Sequence, residues 1–182
     1  FVDRLRENAK HLQVGDPALN ASMGPVVNQS TYESMLRYIE VGKQEGRLVA
    51  GGQAVKSPTN GYYIEPTIFS EIAPMARLAQ EEVFGPVLAV IKSDNFEHAL
   101  EIANNTEYGL TGSIYSQSRE KLAVCRRDFH VGNLYFNRKS TGAMVGAHPF
   151  GGFNMSGTDS KAGGPDYLYL FTQAKSVAEK LG

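Results

Sequence analysis

The stretch Gln80-Glu81-Glu82-Val83-Phe84-Gly85-Pro86-Val87 holds the residues best suited to grip a ligand. In an extended segment, side chains two positions apart share a face, so Glu82 and Phe84 would meet one ligand together. A carboxylate there can accept hydrogen bonds from a ribose diol, and the ring beside it can pack a flat heterocycle such as a nicotinamide. Taken alone, the octet also reads as an acidic loop ahead of a buried strand, the plainer of the two readings.

A second group lies between Arg138 and Pro165, a Gly-rich run too long for an ordinary connection in a compact domain. Around Ser140-Thr141-Gly142-Ala143, successive backbone N–H groups beside a glycine can form an anion-binding nest suited to a small carboxylate. The alternative is a tight turn that merely needs glycine. In His148-Pro149-Phe150-Gly151-Gly152-Phe153, rings between glycines suit a pocket that backbone approaches closely. The alternative there is a loop anchored by a buried phenylalanine.

Other chemistries find little support. Cys125 shares an apolar helical face with Leu122 and Phe129, so it reads as a small core residue and not a nucleophile. His11, His98, His130 and His148 show no metal-ligand spacing, alone or with Cys125. No G-x-x-x-x-G-K-S/T, G-x-G-x-x-G or G-x-S-x-G run occurs. Net charge is −1 with dispersed charges, which gives no footprint for nucleic acid or a membrane surface. Hydrophobic residues make up 42% of the chain without a run long enough to span a bilayer. A single cysteine fits a reducing, cytoplasmic setting.

The elements that must position these residues follow an α/β pattern. A first amphipathic helix runs to about His11, and Ser30 with Glu33 forms a capping box for a second, buried through Tyr32, Met35, Leu36 and Ile39. Gly46 ends that helix and Arg47 to Ala50 is a short strand. Tyr62 to Ile72 reads as extended and Pro86 to Lys92 as a buried strand. Asp94 caps a helix carrying Phe96, Ala99, Leu100 and Ala103, followed by a strand over Leu110–Tyr115. A helix over Ser118–Phe129 and strands over Val131–Phe136 and Tyr167–Val177 complete the order. Such alternation implies a mostly parallel sheet with flanking helices. The 182 residues fit one large domain. The chain starts at Phe1, with Met23 its first methionine and no cap ahead of the first helix, as expected of a piece of something longer.

Four ordered motifs, EEVFGPV (81–87), NNTEYGLTGSIYS (104–116), GNLYFNR (132–138) and HPFGGFNMSG (148–157), resemble the aldehyde dehydrogenase superfamily. The runs RKSTGAMVG (138–146) and SGTDSKAGGPDYLYLFTQAKSVAE (156–179) are similar to its Δ1-pyrroline-5-carboxylate dehydrogenase branch, which oxidises glutamate 5-semialdehyde to glutamate with NAD in proline breakdown.

This resemblance implies that Glu82 holds the nicotinamide ribose and Phe84 lies beside the nicotinamide. It makes Gly142 and Ala143 the backbone anchor of the substrate's α-carboxylate, and Phe150 the ring that packs its aliphatic part. Residues 1–165 would then be the carboxyl-terminal part of a catalytic domain. Residues 166–182 would be a tail whose strand, from Tyr167, joins a neighbouring subunit of a homo-oligomer. The cysteine nucleophile and the glutamate that activates water would precede Phe1, leaving no catalytic residue and no metal ligand in the chain. Competing expectations are another semialdehyde dehydrogenase, or a noncatalytic scaffold that keeps the motifs for packing and subunit contact.

Overall fold

The computed structural model describes residues 1–56, 59–141, 143–144, 146–157 and 161–182. Two compact units divide the chain, Phe1–Asp94 and Asn95–Gly182.

In the first unit, the helices are α1 (Val2–Ala9), α2 (Gln29–Glu45) and α3 (Arg77–Gln80), and the strands β1 (Arg47–Ala50), β2 (Ala54–Val55), β3 (Tyr63–Ile64), β4 (Thr67–Ser70) and β5 (Val87–Ala89). The middle strand of the larger sheet is β4, antiparallel to β1 and parallel to β5, and every residue of it is buried. Helix α2 lays Met35 and Ile39 on the same core as Ile64, Phe69, Ile72 and Leu78. Phe69 is fully buried, which contributes about 1.5–3 kcal/mol relative to leaving the ring in water. The strand expected over Pro86–Lys92 shortens to β5, at the edge of this sheet, with Leu88 exposed instead of buried.

The second unit contains α4 (Phe96–Asn104), β6 (Tyr108–Gly109), β7 (Thr111–Ile114), α5 (Arg119–Asp128), β8 (Asn133–Phe136) and β9 (Phe153–Asn154). The β7–α5–β8 succession is the parallel crossover unit that the alternating pattern implied, with Thr111 opposite Asn133 and Ile114 opposite Phe136. Leu122 and Cys125 are buried on α5.

The α/β class holds, but the pairing is mixed. Among the described residues the β4–β5 and β7–β8 pairs are parallel, while β1–β4, β2–β3 and β6–β9 are antiparallel. Apolar strand patterns do not encode the direction of a partner, and here several pairings are made by neighbours in sequence or by returning loops. The strand expected over Tyr167–Val177 is also absent. Tyr167–Phe171 forms a 3-10 turn, and Thr172–Gly182 takes neither helix nor strand. Among the described residues this segment is paired with no other strand. No described helix is long and apolar enough to cross a membrane.

Two helix starts differ from expectation for one reason. The α2 cap is Asn28, whose side chain accepts from the Thr31 N–H at 2.8 Å, and not Ser30. Likewise Asn95, accepting from the His98 N–H at 2.8 Å, caps α4 in place of Asp94. Each true cap is the residue whose backbone is still extended, which side-chain type alone does not reveal. Asn28→Ala should therefore cost about 1 kcal/mol in a urea melt, whereas Ser30→Ala should change stability by no more than a few tenths. Equal losses from the two would place the cap wrongly.

Candidate functional site

The segment around Glu82 is fixed at both ends. At its start, the Glu45 carboxylate at the end of α2 accepts from the Arg77 and Leu78 N–H groups, each at 2.9 Å, which caps α3. One turn on, Glu81 receives Arg77 Nε at 2.8 Å, Arg77 Nη2 at 2.9 Å and the Tyr38 hydroxyl at 2.8 Å. The guanidinium first, and the tyrosine hydroxyl second, hold the Glu81 carboxyl down at about 2 from the ordinary 4.5. At the far end, Gly85 lies so close to the buried Met35 thioether that a Cβ would collide with its sulfur.

Between these anchors, Val83 packs against the core while Glu82 and Phe84 are exposed. Among the described residues Glu82 has no hydrogen-bond or ion-pair partner. Both residues are accessible, but the extended backbone expected to put them on one face is not kept. Phe84 is 77% exposed and sits in the left-handed region at φ 55°. That conformation costs a residue with a Cβ about 1–2 kcal/mol, and it persists only where surrounding contacts enforce it. An exposed ring held this way is presented, not packed.

The second group lies in the other unit. Gly142 and Val145 fall outside the described residues, so the glycine of the expected nest has no described geometry. Ala143 is half-buried, and its N–H has no partner among the described residues. The turn that follows closes through the Ala147 and His148 N–H groups, both donating to Met144 O. It docks through the Gly146 N–H on Gly163 O at 2.8 Å, while Phe150 pairs with Ala162 through two bonds of 2.8 Å. The adjacent residues Ala162 and Gly163 thereby gather the Ala143 turn and Phe150 onto one segment.

Phe150 is not a buried anchor; its side chain is 39% exposed. What is held is its backbone. The Asn133 side-chain amide donates to Pro149 O at 2.9 Å and accepts from the Gly151 N–H at 3.2 Å. The Lys161 ammonium donates to Gly132 O at 2.9 Å and to Gly151 O, and lies 4.9 Å from the centre of the Phe153 ring. Burial lowers the Lys161 pKa from its ordinary value.

Sequence reasoning missed Glu81, Asn133 and Lys161. The i, i+4 spacing of Arg77 and Glu81 was a usable signal for an ion pair that occupies one of the two adjacent glutamates. Asn133, an amide opening an otherwise apolar strand, was a weaker one. Nothing local connects Lys161 with Gly132. Cys125, by contrast, lies where expected: fully buried, with its thiol pushed up first by burial and then by Asp128. No group of three or more His, Cys, Asp or Glu among the described residues could hold a metal ion.

The aldehyde dehydrogenase family model matches residues 1–177. The chain belongs to that family. Among curated aldehyde dehydrogenases it is 59% identical over 179 residues to 1-pyrroline-5-carboxylate dehydrogenase of Geobacillus kaustophilus, covering 98% of this chain and 34% of that enzyme. A solved 1-pyrroline-5-carboxylate dehydrogenase from Thermus with bound NAD matches at a TM-score of 0.95 and 54% identity, over 99% of this chain and 34% of that one. An indole-3-acetaldehyde dehydrogenase from P. syringae, a C302A mutant solved with NAD+, matches at 0.90 and 35%, over 100% and 36%. The chain thus spans about a third of the length of the relatives it matches.

The Glu81 clamp carries a pH dependence. Because the folded carboxyl titrates near 2 and the unfolded one near 4.5, the clamp stabilises fully above 4.5 and is lost as pH falls through that window toward 2. The stability difference between the native chain and Glu81→Gln, measured by chemical denaturation, should shrink toward zero over that range. A difference that stays constant down to pH 2 would contradict the clamp.

Proposed function

We propose that the whole protein carrying this chain is a cytoplasmic, homo-oligomeric dehydrogenase. It oxidises L-glutamate 5-semialdehyde, the open form of 1-pyrroline-5-carboxylate, to L-glutamate with NAD in proline catabolism. The observation that carries the chain's part in this is the division of labour between two adjacent glutamates: Glu81 is fully engaged, while Glu82 is exposed and unpartnered beside a presented ring. An unpaired carboxylate and an exposed aromatic fit the nicotinamide end of a dinucleotide. The names of the relatives, and the NAD bound in the Thermus enzyme, point the same way.

In this reading the Glu82 carboxylate accepts from the ribose hydroxyls and Phe84 packs against the nicotinamide. NAD, when bound, supplies the hydride acceptor. The Ala143 N–H, with that of Gly142, donates to the substrate's α-carboxylate, while Phe150 covers the aliphatic chain. Both contacts orient the aldehyde without taking part in bond making. Cys125 is buried with a raised pKa and is no candidate for the thiolate nucleophile, which lies, with the general base, outside these residues. Residues 1–165 are the catalytic-domain portion. Residues 166–182 are the tail that adds a strand to a neighbouring subunit, a role supported by the exposed Leu168, Tyr169, Phe171 and Val177.

Glu82→Gln in the whole enzyme should raise the KM for NAD about tenfold or more, since a charge-assisted hydrogen bond contributes about 1.5–3 kcal/mol. Steady-state kinetics within twofold of the native enzyme would sink the ribose assignment. Ala143→Pro removes one N–H donor without altering charge. It should raise the KM for glutamate 5-semialdehyde severalfold while leaving oxidation of propanal nearly untouched. Parallel losses on both aldehydes would count against the carboxylate anchor.

A further inference from the structure

Phe150 lies in a loop with little side chain to bury, yet each backbone polar group from Pro149 O to Gly151 O has a partner. Phe150 itself exchanges two hydrogen bonds with Ala162. On either side, the Asn133 amide takes Pro149 O and the Gly151 N–H. Gly151 O and Gly132 O both accept from the Lys161 ammonium. The two strands of backbone approach so closely that a Cβ on Gly132 would overlap Gly151 O. Two carbonyl oxygens converging in this way repel each other, and a cation donating to both turns the repulsion into a cross-link. A neutral side chain at 161 would leave two half-buried carbonyls without their shared donor.

We propose that Lys161 and Asn133 are positioning residues that clamp the backbone on both sides of Phe150 and so hold its ring in the substrate site. The inference rests on the reading of Phe150 as a substrate contact. It adds that the ring's placement is set by the Gly132–Asn133 start of β8 and by an ammonium from the following loop, and not by packing of the ring itself. A buried anchor would be fixed through its side chain. Here the side chain is partly free and the main chain is fixed, as a residue that must meet a ligand requires. The lowered Lys161 pKa agrees with an ammonium drawn out of water to serve two carbonyls.

The test is a double-mutant cycle in the whole enzyme with Lys161→Met, Asn133→Ala and Phe150→Ala. Lys161→Met and Asn133→Ala should each raise the KM for glutamate 5-semialdehyde about fivefold or more, with the KM for NAD within twofold of native. On the Phe150→Ala background, either change should add less than twofold, because the ring they position is gone. Amide hydrogen exchange across residues 148–153 should quicken at least tenfold in Lys161→Met. If Phe150→Ala raises the substrate KM but neither clamp variant does, the positioning role is overturned while the substrate reading stands. Full additivity of the two losses, or unchanged exchange, overturns it equally. An unaltered KM in Phe150→Ala removes the substrate reading and the inference with it. Should Lys161→Met fail to fold, the Asn133→Ala arm of the cycle decides by the same criteria.

Discussion

The Glu81 carboxylate receives two hydrogen bonds from Arg77 and one from Tyr38, and through them ties the loop ahead of β5 to helix α2. Arg77 sits in α3, itself capped by Glu45 at the end of α2, so three successive contacts connect the loop to one long helix. That helix is in turn seated on the buried strand β4 through Met35 and Ile39. The same Met35 meets Gly85 at the other end of the loop. Among the described residues Glu82 has no hydrogen-bond or ion-pair partner and Phe84 is exposed, while their neighbours on both sides are held.

The second unit meets the same constraint by other means. Under the proposed function these loops must expose the side chains that bind, so they cannot be held by burying them, and their order must come from the main chain. In the first unit a carboxylate and a close-packed glycine supply that order. In the second, an amide, an ammonium and a two-bond bridge to Ala162 do so around Phe150. The strained backbone of Phe84 and the converging carbonyls at Gly132 and Gly151 are both arrangements that a free chain would relax.

Much of this was legible in the sequence. The strand over Arg47–Ala50 and the end of α2 at Gly46 lie where the pattern puts them, because apolar periodicity and a glycine stop are local signals. The crossover from β7 through α5 to β8 follows from the same periodicity. Caps were harder, since Asn28 and Ser30 are both competent side chains and only the backbone distinguishes them. Strand direction and the tail from Tyr167 depend on partners far away in sequence. The octet drew notice to Glu82 and Phe84, yet only the three-dimensional partners of Glu81 separate an engaged glutamate from an available one. Lys161 was illegible for the same reason, because the carbonyls it serves lie 10 and 29 residues away.

The most direct measurement is a crystal structure of the whole protein with NAD and the product glutamate. If the proposed function is right, the Glu82 carboxylate will lie about 3 Å from both hydroxyls of the nicotinamide ribose, and the α-carboxylate of glutamate on the Ala143 N–H with its methylenes against Phe150. A ribose held by other groups with Glu82 left in solvent, or a glutamate carboxylate bound away from residues 140–143, would contradict it.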